Sequence, residues 1–159
     1  MAWTAGKSST VEWGTPPELF KELSAALGPF NLDPCSTHEN ALTRRHFTIE
    51  DDGLAQSWAG VRVFMNPPYG REIAGWMRKA RREADNGALL VVCLVPCRPD
   101  TIWWRDTCCR SEVWLKHGRV KFVGGYTQGP FPVAVVIMRP GDPPYDPSSG
   151  WWRVRRILS

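Results

Sequence analysis

Apolar positions along this chain fall into two rhythms. Leu19, Phe20, Leu23, Ala26 and Leu27 recur at helical spacing, which predicts an amphipathic helix. Thr15-Pro16-Pro17-Glu18 reads as its start. Thr15 can act as N-cap, Pro16 suits the first helical position, and Glu18 stands where a capping box places its acid. Gly28-Pro29 ends the helix. Helical patterning returns over residues 73–85 and 101–109, and residues 54–58 read as one further turn. The other rhythm is a continuous apolar run. Residues 88–95 are such a run, which predicts a buried parallel strand covered on both faces, and residues 133–138 read as a strong apolar strand. Shorter strand-like stretches lie at 30–35, 45–49, 61–65, 111–115 and 118–123. Residues 124–132, rich in Gly and Pro, read as a loop, and residues 151–158 as a returning strand or docked segment.

Strand and helix alternate through the middle of the chain, which predicts an α/β fold with a mostly parallel sheet. In such sheets ligands bind at the carboxyl ends of the strands. Asp33-Pro34, Asn66-Pro67 and Pro96-Cys97 each stand just past a predicted strand, so all three belong on one sheet edge. The chain of 159 residues is long enough for one domain with a sizeable core. Residues 11–139 are expected to form that domain, residues 1–10 a polar disordered start, and residues 140–159 a Pro-rich tail with a terminal segment.

Composition changes this picture little. Hydrophobic residues make up 43% and charged residues 23%, as in ordinary globular domains. No apolar run approaches the roughly 20 residues that span a bilayer, and the N-terminal residues lack the apolar centre of a signal peptide. The net charge of +4 mildly favours a polyanionic partner. The arginines at 78–82 read as the solvated face of a helix. The five cysteines are odd in number and partly inside strand patterns. Their spacing fits neither a disulfide scaffold nor a zinc site, so no metal is expected.

The sharpest chemical signal is Asn66-Pro67-Pro68-Tyr69, between a predicted strand and a predicted helix. Asn offers a carbonyl oxygen as acceptor. Two prolines stiffen the turn and leave it presenting carbonyls in place of N–H groups. Tyr69 supplies a flat stacking face. Together they suit a site that grips an amine-bearing ring. An NH2 donating to two carbonyls has its lone pair pushed out of conjugation and becomes nucleophilic. The plain alternative is an Asn-Pro turn leaving a strand.

Thr-Pro-Pro-Glu at 15–18, Leu-Asp-Pro-Cys at 32–35, Asp51-Asp52-Gly53-Leu54 and Asn66-Pro67-Pro68-Tyr69, in that order, resemble the S-adenosylmethionine-dependent DNA N-6-adenine methyltransferases of the phage (Dam-like) type. The likeness runs on through Leu94-Val95-Pro96, Trp103-Trp104 and 118–122. It implies a compact Rossmann-like sheet with an antiparallel edge strand, helices on both faces and no separate target-recognition domain. It implies methyl transfer from S-adenosylmethionine to the N6 amine of a flipped adenine in double-stranded DNA, inside a bacterial host cell and from a phage or prophage gene. Asn66, Pro67, Pro68 and Tyr69 would be catalytic. Trp13, Thr15, Pro16, Asp33, Pro34, Cys35 and one of Asp51 and Asp52 would bind the cofactor. Arg98, Arg119 and Lys121 are candidates for DNA contact, with the 124–132 loop. The chain departs from the pattern in lacking a Gly-x-Gly loop after Leu32. Only 33 positions separate Asp33 from Asn66, short for two strand–helix units, so one element is expected to be missing or reduced. The same tetrapeptide also suits methylation of an RNA base or a protein glutamine, and a non-catalytic DNA-binding relative is the remaining alternative.

Overall fold

The computed structural model describes residues 13–124 and 129–143, and the backbone of 154–158. The expected disordered start and most of the Pro-rich tail lie outside the described residues. The elements run α1 Pro17–Leu27, β1 Leu32–Asp33, β2 Arg45–His46, β3 Arg62–Met65, α2 Ile73–Asp85, β4 Leu90–Pro96, α3 Ile102–Cys108, β5 Glu112–Lys116, β6 Val133–Met138 and β7 Val154–Leu158. The seven strands form one sheet in the order β2-β1-β3-β4-β6-β5-β7.

β2, β1, β3 and β4 are mutually parallel. β6 runs against both β4 and β5, and β7 lies parallel to β5. Among the described residues the one antiparallel strand is therefore internal, not at the edge as expected. Its composition explains this. All six residues, Val133 to Met138, are buried, and an all-apolar strand belongs where both faces are covered. β5, only partly buried, takes the place beside it and carries β7 on its outer side.

The pleat of β4 and β6 divides the core in two. Leu90, Val92, Leu94, Val133, Val135 and Ile137 pack with Leu19, Leu23 and Leu27 of α1. Val91, Cys93, Val95, Ala134, Val136 and Met138 pack with Trp76, Met77 and Ala80 of α2 and Trp104 of α3. Alternate residues of a strand face opposite ways, so helices cover both faces, as the apolar run at 88–95 predicted.

Sequence and structure part in several places. Residues 118–123 do not form a strand. They make a single antiparallel bridge, Gly14 to Val123. Residues 54–58 form no helix, only the end of a turn followed by irregular chain. Between β1 and β3 there is no helix at all, only the two-residue β2, so the expected compression falls on this part of the chain. Arg78 and Arg82 are solvated as expected, but Arg81 is buried at 6% exposure. Its guanidinium binds Asp85 at 2.8 Å, Asp142 at 2.7 Å and the Arg139 carbonyl at 3.0 Å. Charge and hydrogen bonds offset much of its desolvation cost, with Nε alone left buried and unpaired, and the cluster ties α2 to the turn after β6.

Candidate active site

The carboxyl ends of β1, β2, β3, β4 and β5 lie on one edge of the sheet, and so does the start of β6. Asp33 ends β1, and the residues singled out at 34–35, 51–52, 66–69 and 98 follow strands at that edge. At its centre is Asn66, one residue beyond β3. Its Nδ2 donates to the Trp13 carbonyl at 2.6 Å and to Thr15 Oγ1 at 3.0 Å. A carbonyl can only accept, so this pairing fixes which end of the amide is nitrogen. The other end, Oδ1, is buried and has no hydrogen-bond partner. Buried acceptors are nearly always paired in native proteins, and an orphan of this kind marks a place for an external donor.

Thr15 was expected to cap α1. Pro16 holds the cap position instead, with no side-chain bond, because the Thr15 hydroxyl is engaged by Asn66. The Trp13–Thr15 segment is held in turn by Val123, through Gly14 N–H to the Val123 carbonyl at 3.3 Å and Val123 N–H to the Gly14 carbonyl at 2.8 Å.

Tyr69 is half-buried and donates its hydroxyl to the Leu94 carbonyl at 3.1 Å. Burial pushes the phenol well above its ordinary pKa, so it stays a donor. Its ring meets Phe122 and Phe131 edge-on, at centroid separations of 6.1 and 5.4 Å. Trp13 meets the same two rings at 5.3 and 5.5 Å. The sequence places Phe122 in the 118–122 likeness and Phe131 in the 124–132 loop but gives neither ring a role. Two phenylalanines nine positions apart, one of them in a Gly/Pro loop, carry no local pattern that points to Tyr69.

The loop after β1 is closed by Asp33, only 5% exposed. Its oxygens accept from Cys35 N–H at 3.4 Å and Leu42 N–H at 3.3 Å. Burial pushes its carboxyl up to about 6 against those stabilising bonds. The carboxylate thus serves its own loop first. Cys35 donates its thiol to the Asn66 carbonyl at 3.3 Å, joining the β1 loop to the Asn66 turn. Burial holds that thiol well above its ordinary pKa, so it remains a donor.

The structure separates Asp51 from Asp52. Asp51 accepts from the Thr48 N–H at 2.8 Å and the Thr48 hydroxyl at 3.0 Å, which completes a local turn. Asp52 takes a left-handed backbone, φ 52°, and its Oδ1 is buried without a partner. Behind it, Gly53 packs on Pro34 so closely that a Cβ would stand 2.0 Å from the Pro34 carbonyl oxygen. Trp58 Nε1 holds the Gly53 carbonyl at 3.1 Å. Only glycine allows this approach, and it draws the Asp52 turn against the β1 loop.

Arg98 is exposed and paired with Asp100 at 3.1 Å. Arg119 and Lys121 are exposed on the segment between β5 and the Val123 bridge. Residues 125–128 of the candidate loop lie outside the described residues. Its flanks reach the site, with Phe131 against Tyr69 and the Pro132 carbonyl accepting from Cys97 N–H at 2.8 Å.

A family model described as DNA N-6-adenine-methyltransferase (Dam) matches residues 4–140. The chain is 27% identical to a DNA N-6-adenine-methyltransferase of Haemophilus phage HP1 over 146 residues, covering 86% of this chain and 83% of the relative. It is 24% identical over 132 residues to a protein of the same name from Escherichia phage T1. That match covers 72% of this chain and 55% of the relative, so the aligned region spans only about half of the T1 protein.

Proposed function

Since the chain belongs to the DNA N-6-adenine-methyltransferase (Dam) family, we propose that it transfers a methyl group from S-adenosylmethionine to the N6 amine of an adenine in duplex DNA. The observation that carries this reading is the Asn66 amide, whose NH2 is fully engaged while its Oδ1 stands buried and unpaired.

The residues at the sheet edge suit the cofactor. The unpartnered Asp52 Oδ1 can accept from a ribose hydroxyl or an adenine amine. The Gly53–Pro34 approach keeps the two loops side by side with no side chain between them. S-adenosylmethionine, when bound, supplies an electrophilic methyl group on a sulfonium.

The protein's own part is to bind, orient and polarise. A target adenine lies stacked in the duplex and has to leave it to be reached. Asn66 Oδ1 and the Pro67 carbonyl accept the two N6 hydrogens, which turns the nitrogen lone pair out of the ring plane. Tyr69, braced by Phe122, Phe131 and the Leu94 carbonyl, offers its face to the base. Alignment and electrostatic polarisation then account for the rate gain. Methyl transfer acidifies the amine, so a strong general base is not required.

A substrate panel tests the reading. Methyl transfer is expected on duplex DNA and not on a glutamine-bearing peptide or on RNA of equal sequence. Transfer to RNA or peptide in preference to DNA would overturn it.

A further inference from the structure

We propose that Thr15 is a positioning residue that sets the orientation of the Asn66 amide, and that the Trp13–Thr15 segment forms a strap holding both halves of the Asn66–Tyr69 motif. The proposal deepens the methyltransferase reading, which assigns Asn66 Oδ1 to the reacting amine.

The two ends of a primary amide are nearly the same shape, so packing alone chooses weakly between them. Hydrogen-bond partners decide. The Trp13 carbonyl lies 2.6 Å from Nδ2, and a flipped amide would set two acceptors against each other at that distance. Thr15 Oγ1 supplies the second acceptor at 3.0 Å. Thr15 is 8% exposed, so water is poorly placed to replace a deleted hydroxyl. With Nδ2 engaged twice, Oδ1 is left facing away from the strap.

The strap has a fixed seat. Gly14 and Val123 exchange two backbone hydrogen bonds. A Cβ on Gly14 would meet the Val123 Cβ at 3.2 Å and its carbonyl oxygen at 3.3 Å, so the glycine lets the two chains close up. Trp13 lies against Phe122 and Phe131, the same rings that flank Tyr69. One short segment therefore sets the polar acceptor through Thr15 and braces the aromatic face through Trp13.

Two readouts test this. The Asn66 side-chain NH2 gives a signal pair in a 1H–15N spectrum, identified by its loss in Asn66→Asp. Thr15→Val is expected to speed exchange of that NH2 several-fold, and Thr15→Ser to restore it. In turnover, Thr15→Val is expected to lower kcat about 3- to 10-fold, the loss of one neutral hydrogen bond. Because the Thr15 hydroxyl is taken up by Asn66, and not given to the cofactor as the resemblance implies, the Kd for S-adenosylhomocysteine should stay within about twofold, and Thr15→Ser should lie within about twofold of wild type in both. If Thr15→Val does not fold, Thr15→Ala carries the same expectations. An unchanged NH2 exchange rate overturns the proposal. So does a cofactor affinity that weakens as much as kcat falls, because Thr15 then acts on the cofactor itself. Absence of adenine methylation by the wild type would instead count against the functional reading, and the spectroscopic arm still decides the role of Thr15.

Discussion

Asn66 and Asp33 show how differently two polar residues at one sheet edge are used. Asn66 keeps an acceptor in reserve, and Asp33 spends its oxygens on Cys35 and Leu42. Asn66→Ala is expected to cut methyl transfer by about 10²–10³, as loss of a transition-state hydrogen-bond partner does. Binding of S-adenosylhomocysteine, followed by calorimetry, should change little. For Asp33 the folded pKa of about 6 lies above the ordinary 3.8. Folding therefore favours the neutral acid. Its contribution is complete below pH 3.8 and is lost as pH rises to about 6. Urea unfolding of wild type and Asp33→Asn from pH 4 to 7.5 should show the wild type losing roughly 2–3 kcal/mol relative to the variant across that window. A pH-independent difference between them would mean that the carboxyl titrates normally. The place of the Asn66 tetrapeptide between a strand and a helix was legible because its residues are contiguous and the flanking patterns are strong. The distinction between Asp51 and Asp52 was not, because it rests on a local turn to Thr48 and a left-handed φ, and neighbouring identical residues give no hint of either.

At the scale of elements, close approaches and buried charge decide what the apolar pattern leaves open. Gly53→Ala would drive a methyl into the Pro34 carbonyl. The turn must shift, and cofactor affinity is expected to fall about tenfold or more, a loss that fluorescence titration can follow. Arg81→Ala removes the charge partner of Asp142, whose side chain is 12% exposed, and leaves its Oδ2 only the Arg139 N–H at 2.9 Å. Thermal or urea unfolding should show a loss of roughly 2–4 kcal/mol, somewhat below the range for fully buried pairs because Asp85 is more open to solvent. Helices α1, α2 and α3 and strands β3, β4 and β6 stood where periodicity placed them, since each presents a strong face or run. Two features were hidden. The antiparallel run of β6 between β4 and β5 depends on which strands pair, and sequence order does not carry that. The 118–123 stretch looks like a strand, yet Val120 and Phe122 turn inward against the aromatic cluster and only Val123 pairs.

Over the whole molecule, one edge of the sheet gathers the Asn66 turn, the Asp52 turn and the cations Arg98, Arg119 and Lys121. DNA bound there would meet Arg119 and Lys121 as solvated charges, whereas Arg98 is already engaged by Asp100. Replacing both Arg119 and Lys121 by Ala is expected to lower the dependence of log affinity on log salt by about 1 to 2, uniformly across sequences, if they contact phosphates. An unchanged slope would place the duplex elsewhere. The account as a whole rests on an adenine amine held by Asn66. Its most direct test is transfer of labelled methyl from S-adenosylmethionine to duplex DNA, followed by digestion and nucleoside analysis. The account predicts label only in N6-methyladenine with the wild-type protein, and almost none with Asn66→Ala. Label on cytosine, or undiminished N6-methyladenine from Asn66→Ala, would contradict it.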